Sequence, residues 1–311
     1  MESITVAIQL DLRDLRYFET IAELGHLGRA AERLSLTQPA LTRCVRRLEE
    51  SFGTELFERV GRGIRLTSAG EALLTRARRL HVAADETARE MIDFARGDSG
   101  HIKLGLVPTA AQFLLPPVCR ALLAETQQVF LKTVIGQDDV LTQSLKAGDL
   151  DLLITFGGPS DDELASHPVV EDVMVVAASK SHELLRRKQR PTMSNLLEYR
   201  WALAAPSVES RRWLDSAFDA RAMARPVAQI ETNLVLLMPR LIEETGLLTF
   251  ISRRHLAASG VGAKLAEVRV PETTMRRVLR VLHRKDAYLS PAARRLVTLV
   301  RKNGKSLLEH G

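Results

Sequence analysis

One segment, residues 35–53 (SLTQPALTRCVRRLEESFG), restricts this chain more than any other. At about 100° per residue, Leu41, Val45, Leu48 and Phe52 share one helical face, whereas Arg43, Arg46 and Arg47 lie on the other side. Pro39 is tolerated in a first turn, where N–H groups have no intrahelical acceptor, and Thr37 stands where its hydroxyl can cap that turn. The spacing predicts a helix from Gln38 to Phe52, stopped by Gly53, with its apolar face turned inward.

The residues on either side define what kind of helix this is. Leu12, Leu15, Phe18 and Ala22 form the face of an earlier helix that stops at Gly25. A short helix from Gly28 to Leu34 then offers small Ala30 and Ala31 for close packing. The turn Leu34-Ser35-Leu36-Thr37 joins it to the arginine-bearing helix, which is the layout of a helix-turn-helix whose second helix enters the major groove. Gln38, Thr42 and Arg43, early on that helix, are placed for base edges, and Arg46 and Arg47 for phosphates. After Gly53, residues 56–67 read as two short strands around Gly61-Arg62-Gly63, a wing with Arg62 at its tip and Arg65 on its second strand. From Leu27 to Thr67 there are eight arginines, five glutamates and no lysine, and the whole chain carries a net charge of +6, which favours a polyanionic partner.

Ser68-Ala69-Gly70-Glu71 has capping-box spacing and is followed by a proline-free run, so a helix is expected from residue 68 to 96, about 43 Å at 1.5 Å per residue. Leu73, Ala77, Leu80, Ala84, Thr87, Met91 and Ala95 recur in steps of four and three, a near-heptad seam that asks for a second helix. Leu73, Ala77, Leu80, Ala84 and Met91 are the expected dimerisation residues.

Past Arg96-Gly97-Asp98-Ser99-Gly100 the pattern alternates strand and helix. Strands are expected at 102–107, 129–135, 150–155, 173–178, 201–204, 227–231, 247–251 and 278–283. One helix is expected through Leu123, another over 140–146, and a terminal one from Ser290. In such sheets ligands lie beyond the strands' carboxyl ends, often at helix N-termini that favour anions. That rule selects Thr109, Ala110, Gln137, Phe156, Ser207, Thr232, Asn233 and Phe250 as effector-binding candidates.

From Arg16 to Leu74 the ordered run AAERL, TQPALTR, RRLEE, G-x-x-LFER and GRG-x-x-LT-x-AG strongly resembles the LysR-type transcriptional regulators. The resemblance implies an α/β protein with an N-terminal winged helix-turn-helix, a long linker helix and a two-lobed effector-binding domain similar to periplasmic binding proteins. On this layout the DNA-binding domain spans 10–67, the linker or dimerisation helix 68–97 and the effector domain 101–305, with lobe 1 at about 101–172 and 277–305 and lobe 2 at about 173–276. The resemblance adds Pro39 to the recognition helix, so the expected DNA-binding set is Thr37, Gln38, Pro39, Thr42, Arg43, Arg46, Arg47, Arg62 and Arg65. Its implied partners are double-stranded DNA, a small effector such as an organic acid or other small anion, and further copies of the chain in a homodimer or homotetramer. This chain departs from the family pattern at His26, where Ser is frequent and would cap the second helix, and at Leu27 and Gly28.

No catalytic constellation competes with this expectation. Ser207 lacks nucleophile-elbow glycines, no HExxH or Walker sequence occurs, and the eight histidines show no ligand spacing, so neither a metal nor a cofactor is expected. Asp138 and Asp139 fit the start of a helix, where negative charge is favoured. Cys44 and Cys119 are too far apart in sequence for a metal motif, and both read as packed thiols in a reducing cytoplasm. Acidic Glu2 argues against a secretory leader, and no apolar run reaches membrane-spanning length. The other class of reading, a solute-binding or enzymatic α/β protein whose basic helical arm serves assembly only, leaves the wing unexplained.

Overall fold

A computed structural model of the chain describes residues 10–61, 63–96, 100–125, 129–158, 162–257 and 260–309. It divides into two compact units between Ala95 and Arg96, and each is described by itself.

The first unit contains α1 (Leu12–Leu24), α2 (Leu27–Leu34), α3 (Gln38–Phe52), the hairpin β1 (Phe57–Val60) and β2 (Gly63–Leu66), and α4 (Ser68–Arg96). Gly25 and Gly53 end α1 and α3 in the left-handed conformation, at φ 60° and 65°. Leu15, Phe18 and Ile21 of α1 and Leu41, Cys44 and Leu48 of α3 are the fully buried stripes, so the α1 stripe runs through Ile21 while Leu12 stays exposed. Asp14 of α1 is buried among them and takes both an Arg47 ion pair and a contact from the Cys44 thiol.

Two capping expectations are corrected. Thr37 occupies the N-cap of α3, but its hydroxyl makes no capping bond. The α4 cap is Thr67, whose hydroxyl accepts from the Gly70 N–H at 3.1 Å, so Ser68 is the first helical residue and not the cap. At α2 an imidazole replaces the usual hydroxyl: His26 Nδ1 accepts from the Gly28 N–H at 3.1 Å. A Cβ on Gly28 would lie 3.2 Å from the His26 ring, so glycine leaves the ring its room. The early turns of α4 are fastened to α1 through His81, whose ring nitrogens lie 2.8 Å from a Glu19 carboxylate oxygen and 2.8 Å from the Leu12 carbonyl.

The second unit runs β3 (Gly100–Leu106), α5 (Pro108–Phe113), α6 (Leu115–Glu125), β4 (Val129–Ile135), α7 (Asp138–Lys146), β5 (Leu152–Thr155), β6 (Leu164–Ser179), α8 (Glu183–Arg186), α9 (Met193–Leu196), β7 (Trp201–Leu203), α10 (Glu209–Asp219), β8 (Ala228–Glu231), α11 (Met238–Thr245), β9 (Leu248–Ser252), α12 (Arg254–Ala257), β10 (Leu265–Glu267), β11 (Met275–Arg284) and α13 (Pro291–Glu309). The single helix expected through Leu123 is two, because Pro116 and Pro117 cannot donate to a preceding turn and start α6 afresh.

These strands form one nine-stranded sheet in the order β4-β3-β5-β11-β6-β9-β7-β8, with β10 on β6. β3, β4 and β5 run parallel in the first lobe, and β7, β8 and β9 run parallel in the second. The long antiparallel pair β6 and β11 joins them. A bulge interrupts that pair: Leu279 faces Val170 but Arg280 faces Pro168, so Val169 is the extra residue. The first lobe's core gathers Leu104, Leu106, Leu152, Ile154 and Val281 under Leu296 and Val300 of α13. The second lobe's core centres on Trp201, Phe218 and Leu248.

Candidate functional site

On the first unit, the apolar stripe of α3 fixes which side chains face outward. Thr37, Gln38, Pro39, Thr42, Arg43 and Arg46 are exposed, grouped on the first turns of α3. Thr42 keeps its hydroxyl on the Gln38 carbonyl at 3.0 Å, and Arg46 reaches Glu50 only at 3.9 Å. Arg43 makes no ion pair among the described residues. Arg47 differs: its Nε donates to Asp14 at 2.9 Å, so part of its hydrogen-bonding capacity is committed to the domain's own core. Arg65 is paired across the wing with Glu58 at 2.6 and 2.9 Å, and Arg62 lies outside the described residues.

The seam residues divide in two. Leu73 packs on the first unit's core and Ala77 is fully buried, whereas Leu80 is 42% and Met91 55% exposed, with Ala84 half-buried between them. The beginning of the seam is occupied within the unit; its middle is uncovered.

Cys44 has no reactive character. Burial and the neighbouring Asp14 carboxylate push its thiol up to about 12.

In the second unit a cavity of about 270 Å³ opens at the carboxyl ends of the parallel strands. Thr109, Gln137, Phe156, Ser207, Asn233 and Phe250 line it. Ala110 and Thr232 do not: Ala110 is buried beside a smaller void next to Phe156, and the Thr232 hydroxyl accepts from the Leu234 N–H at 3.0 Å. Pro108, at the first position of α5, has no N–H to offer an anion.

Five charged residues that the strand-end rule passes over line the same cavity. The main one is Arg277 of β11, directly opposite Asp172 of β6 in the pair that joins the lobes. Its Nε donates to Asp172 Oδ2 at 2.8 Å and its guanidinium carbon stands 3.5 Å from the Phe156 ring centroid. Nη2 lies as close to the same oxygen but without hydrogen-bond alignment, and so is a buried donor with no hydrogen-bond acceptor. Burial pulls the Arg277 pKa down from the ordinary arginine range, against the upward pull of Asp172. Asp172 is itself 3% exposed and also accepts from the Ser252 hydroxyl at 2.6 Å. The others are Asp138, Asp139, Glu209 and Arg212, at the starts of α7 and α10. The Thr155 hydroxyl donates to Asp138 Oδ1, and the Gly157 N–H donates to that hydroxyl at 3.2 Å. Among the described residues no group of three or more His, Cys, Asp or Glu could hold a metal, and no helix is long and apolar enough to cross a membrane.

Residues 12–71 match the family of bacterial regulatory helix-turn-helix proteins, lysR family, and residues 95–305 match the LysR substrate binding domain. The uncharacterized HTH-type transcriptional regulator YdcI of Escherichia coli (strain K12) is 28% identical over 299 residues, covering 95% of this chain and 96% of that protein. The HTH-type transcriptional regulator CbbR of Xanthobacter flavus is 26% identical over 297 residues, 96% of this chain and 89% of its own. Among solved structures, full-length CbnR complexed with its target DNA superposes with a TM-score of 0.65 at 22% identity, covering 94% of this chain and 99% of that one. An exposed arginine helix with a wing, a two-lobed α/β unit with a polar cleft and family matches over both units lead to one assignment: the chain belongs to the LysR family and is a transcriptional regulator with a helix-turn-helix DNA-binding domain and an effector-binding domain.

Proposed function

We propose that the first turns of α3 read the operator and that the cleft above β3, β5 and β11 holds the effector, a small molecule with an acid group. Gln38, Thr42 and Arg43 meet base edges, with Thr37 and Pro39 at the helix entrance. Arg46, the wing residues Arg62 and Arg65, and the remaining donors of Arg47 meet phosphates. Leu80, Ala84 and Met91 form the working part of a dimer seam, since two half-sites one helical turn apart need two recognition helices. Domains at 10–67, 68–97 and 101–305 fit this division of labour, and a DNA partner fits a cytoplasmic protein.

The observation that carries the effector reading is Arg277. A largely buried guanidinium that lines a polar cleft and shares its charge with only one close carboxylate has room for a charge-assisted hydrogen bond from its cleft-facing side to an anion's oxygen. Thr109, Gln137, Ser207 and Asn233 surround the same space with neutral donors and acceptors.

Two measurements test the two halves. Selection from a random duplex pool is expected to enrich a motif for the wild-type chain, and Arg43→Ala to weaken that binding by roughly 1–3 kcal/mol while relaxing base preference. An unenriched pool would remove the DNA-reading assignment. A thermal-shift screen of small carboxylic acids is expected to find a stabilising ligand, and Thr109→Val to cost about 1–3 kcal/mol of its affinity with unliganded DNA binding intact. Wild-type affinity in that variant would move the site elsewhere.

A further inference from the structure

The charges around the cleft do not suit a plain anion. Two cations, Arg212 and Arg277, line it against three carboxylates, Asp138, Asp139 and Glu209. Arg277 already faces Asp172 from behind, and the Glu209 charge reaches it as well. Arg212 holds the Ser207 carbonyl through Nη1. An incoming carboxylate therefore meets a guanidinium already engaged by Asp172 and a surplus of negative charge in a partly desolvated space, where like charges repel strongly.

Carboxylates at helix starts have an ordinary explanation in the helix dipole, and for Asp139 and Glu209 it is sufficient. Asp138 is different. A carboxylate serving its own helix would bond that helix's free N–H groups, yet α7 has no side-chain cap from Gln137, and the Asp138 carboxyl instead takes the Thr155 hydroxyl, from the end of β5. It lies over Gly157 so closely that a Cβ there would collide with it, at 2.9 Å from Cγ. No cation pairs with it among the described residues. A fixed carboxylate with no cation partner among the described residues and a largely buried guanidinium thus line one cleft.

We infer that the effector is a small ampholyte of the amino-acid class: its acid group takes the cleft-facing side of the Arg277 guanidinium and its protonated amine takes Asp138. This rests on the cleft being the effector site. The apolar remainder of such a ligand meets Met238 and Phe250, which line the same space. The amine offsets the excess negative charge, and the site binds molecules lacking either pole more weakly because each leaves a partly desolvated charge unmatched.

The experiment uses the full-length chain and three sets of probes: the twenty amino acids, the carboxylic acids left when the amine is removed, and the amines left when the acid is removed. Affinities are read by thermal shift and then calorimetry. At least one amino acid is expected to bind about tenfold or more tightly than both of its truncated counterparts. Asp138→Asn is expected to remove that advantage by weakening the amino acid and, with one repelling charge gone, strengthening the acid. Thr155→Val, which removes the hydroxyl that holds Asp138 in place, is expected to act in the same direction and serves if Asp138→Asn does not fold. Acids binding as well as their amino acids would overturn the ampholyte and leave the cleft reading standing. Amino-acid binding that ignores both variants and Thr109→Val would overturn both. No binding by any amino acid would overturn the ampholyte.

Discussion

Replacing Gly70 by alanine sets two effects of opposite sign against each other. Gly70 is helical, and alanine is the better helix former by up to about 1 kcal/mol. Against this, a Cβ at residue 70 would drive into the Leu56 carbonyl oxygen and come within 2.9 Å of Leu66 Cδ2. The leucine methyl can rotate away. The carbonyl cannot, because it accepts from the Thr67 N–H at 3.0 Å, while the Leu56 N–H is held by the Glu49 carboxylate at 2.8 Å. Overpacking costs about 1–3 kcal/mol, and an immovable backbone obstacle puts this case at the upper end. The net expectation is a loss of about 2 kcal/mol, equivalent to a fall of roughly 10 °C in the midpoint of a unit of this size. Far-UV circular dichroism of the full chain reports the change, and tryptophan fluorescence provides an internal control. Trp201 and Trp213 are the only tryptophans and both lie in the second unit, so their transition should stay in place. A circular-dichroism midpoint that is unchanged or raised would show that propensity wins and that the contact between the wing and the linker helix is slack.

Leu80→Glu should dissociate the dimer and reduce operator binding with it, since Leu80 is already exposed in the single chain and its loss leaves the fold intact; a dimer surviving in sedimentation would refute the seam. His26→Ala should cost about 1 kcal/mol through the lost α2 cap, and His26→Ser should recover part of it; equal unfolding midpoints for all three proteins would show that the imidazole caps nothing. With the Cys44 thiol near 12, roughly one molecule in ten thousand carries its thiolate at pH 8, so iodoacetamide should leave Cys44 unmodified in the native chain and alkylate it in urea. Native labelling of Cys44 at the rate seen in urea would contradict its burial.

The first unit was legible almost residue by residue because its signals are local: a stripe, a stop glycine, a turn between two glycines. What escaped there was which neighbour does the capping, Thr67 rather than Ser68, and which arginine is spent at home, since the Asp14 partner of Arg47 comes from another helix. In the second unit most strand positions followed from alternation, but the first half of β6 did not. Pro168 breaks a strand pattern read from sequence, whereas in the sheet it stands at the bulge, where a missing N–H is tolerated. Arg277 was missed for a topological reason. The rule that ligands gather at strand carboxyl ends applies to parallel strands. β11 runs antiparallel to β5, with Arg280 opposite Thr155, so the amino-terminal part of β11 lies at the same edge. Asp138 was visible as a residue but not as a site, because only the fold shows that it bonds Thr155 rather than its own helix.

The extra residue in β6 sets the parity of the strand. On β11 the alternate residues Arg277, Leu279, Val281 and His283 share one face; opposite them on β6 stand Asp172, Val170, His167 and Ala165, so the odd-even count changes at Val169. Because side chains alternate with a period of two, deleting Val169 would remove the bulge and leave every residue from Leu164 to Pro168 opposite the same partner and on the same face. Leu164, 3% exposed in the first lobe's core, would keep its place, and His167 its 3.2 Å contact with His283. The bulge is therefore a point at which the connection between the lobes can lose one residue and keep the side chains of both arms of β6 in place, Asp172 opposite Arg277 included.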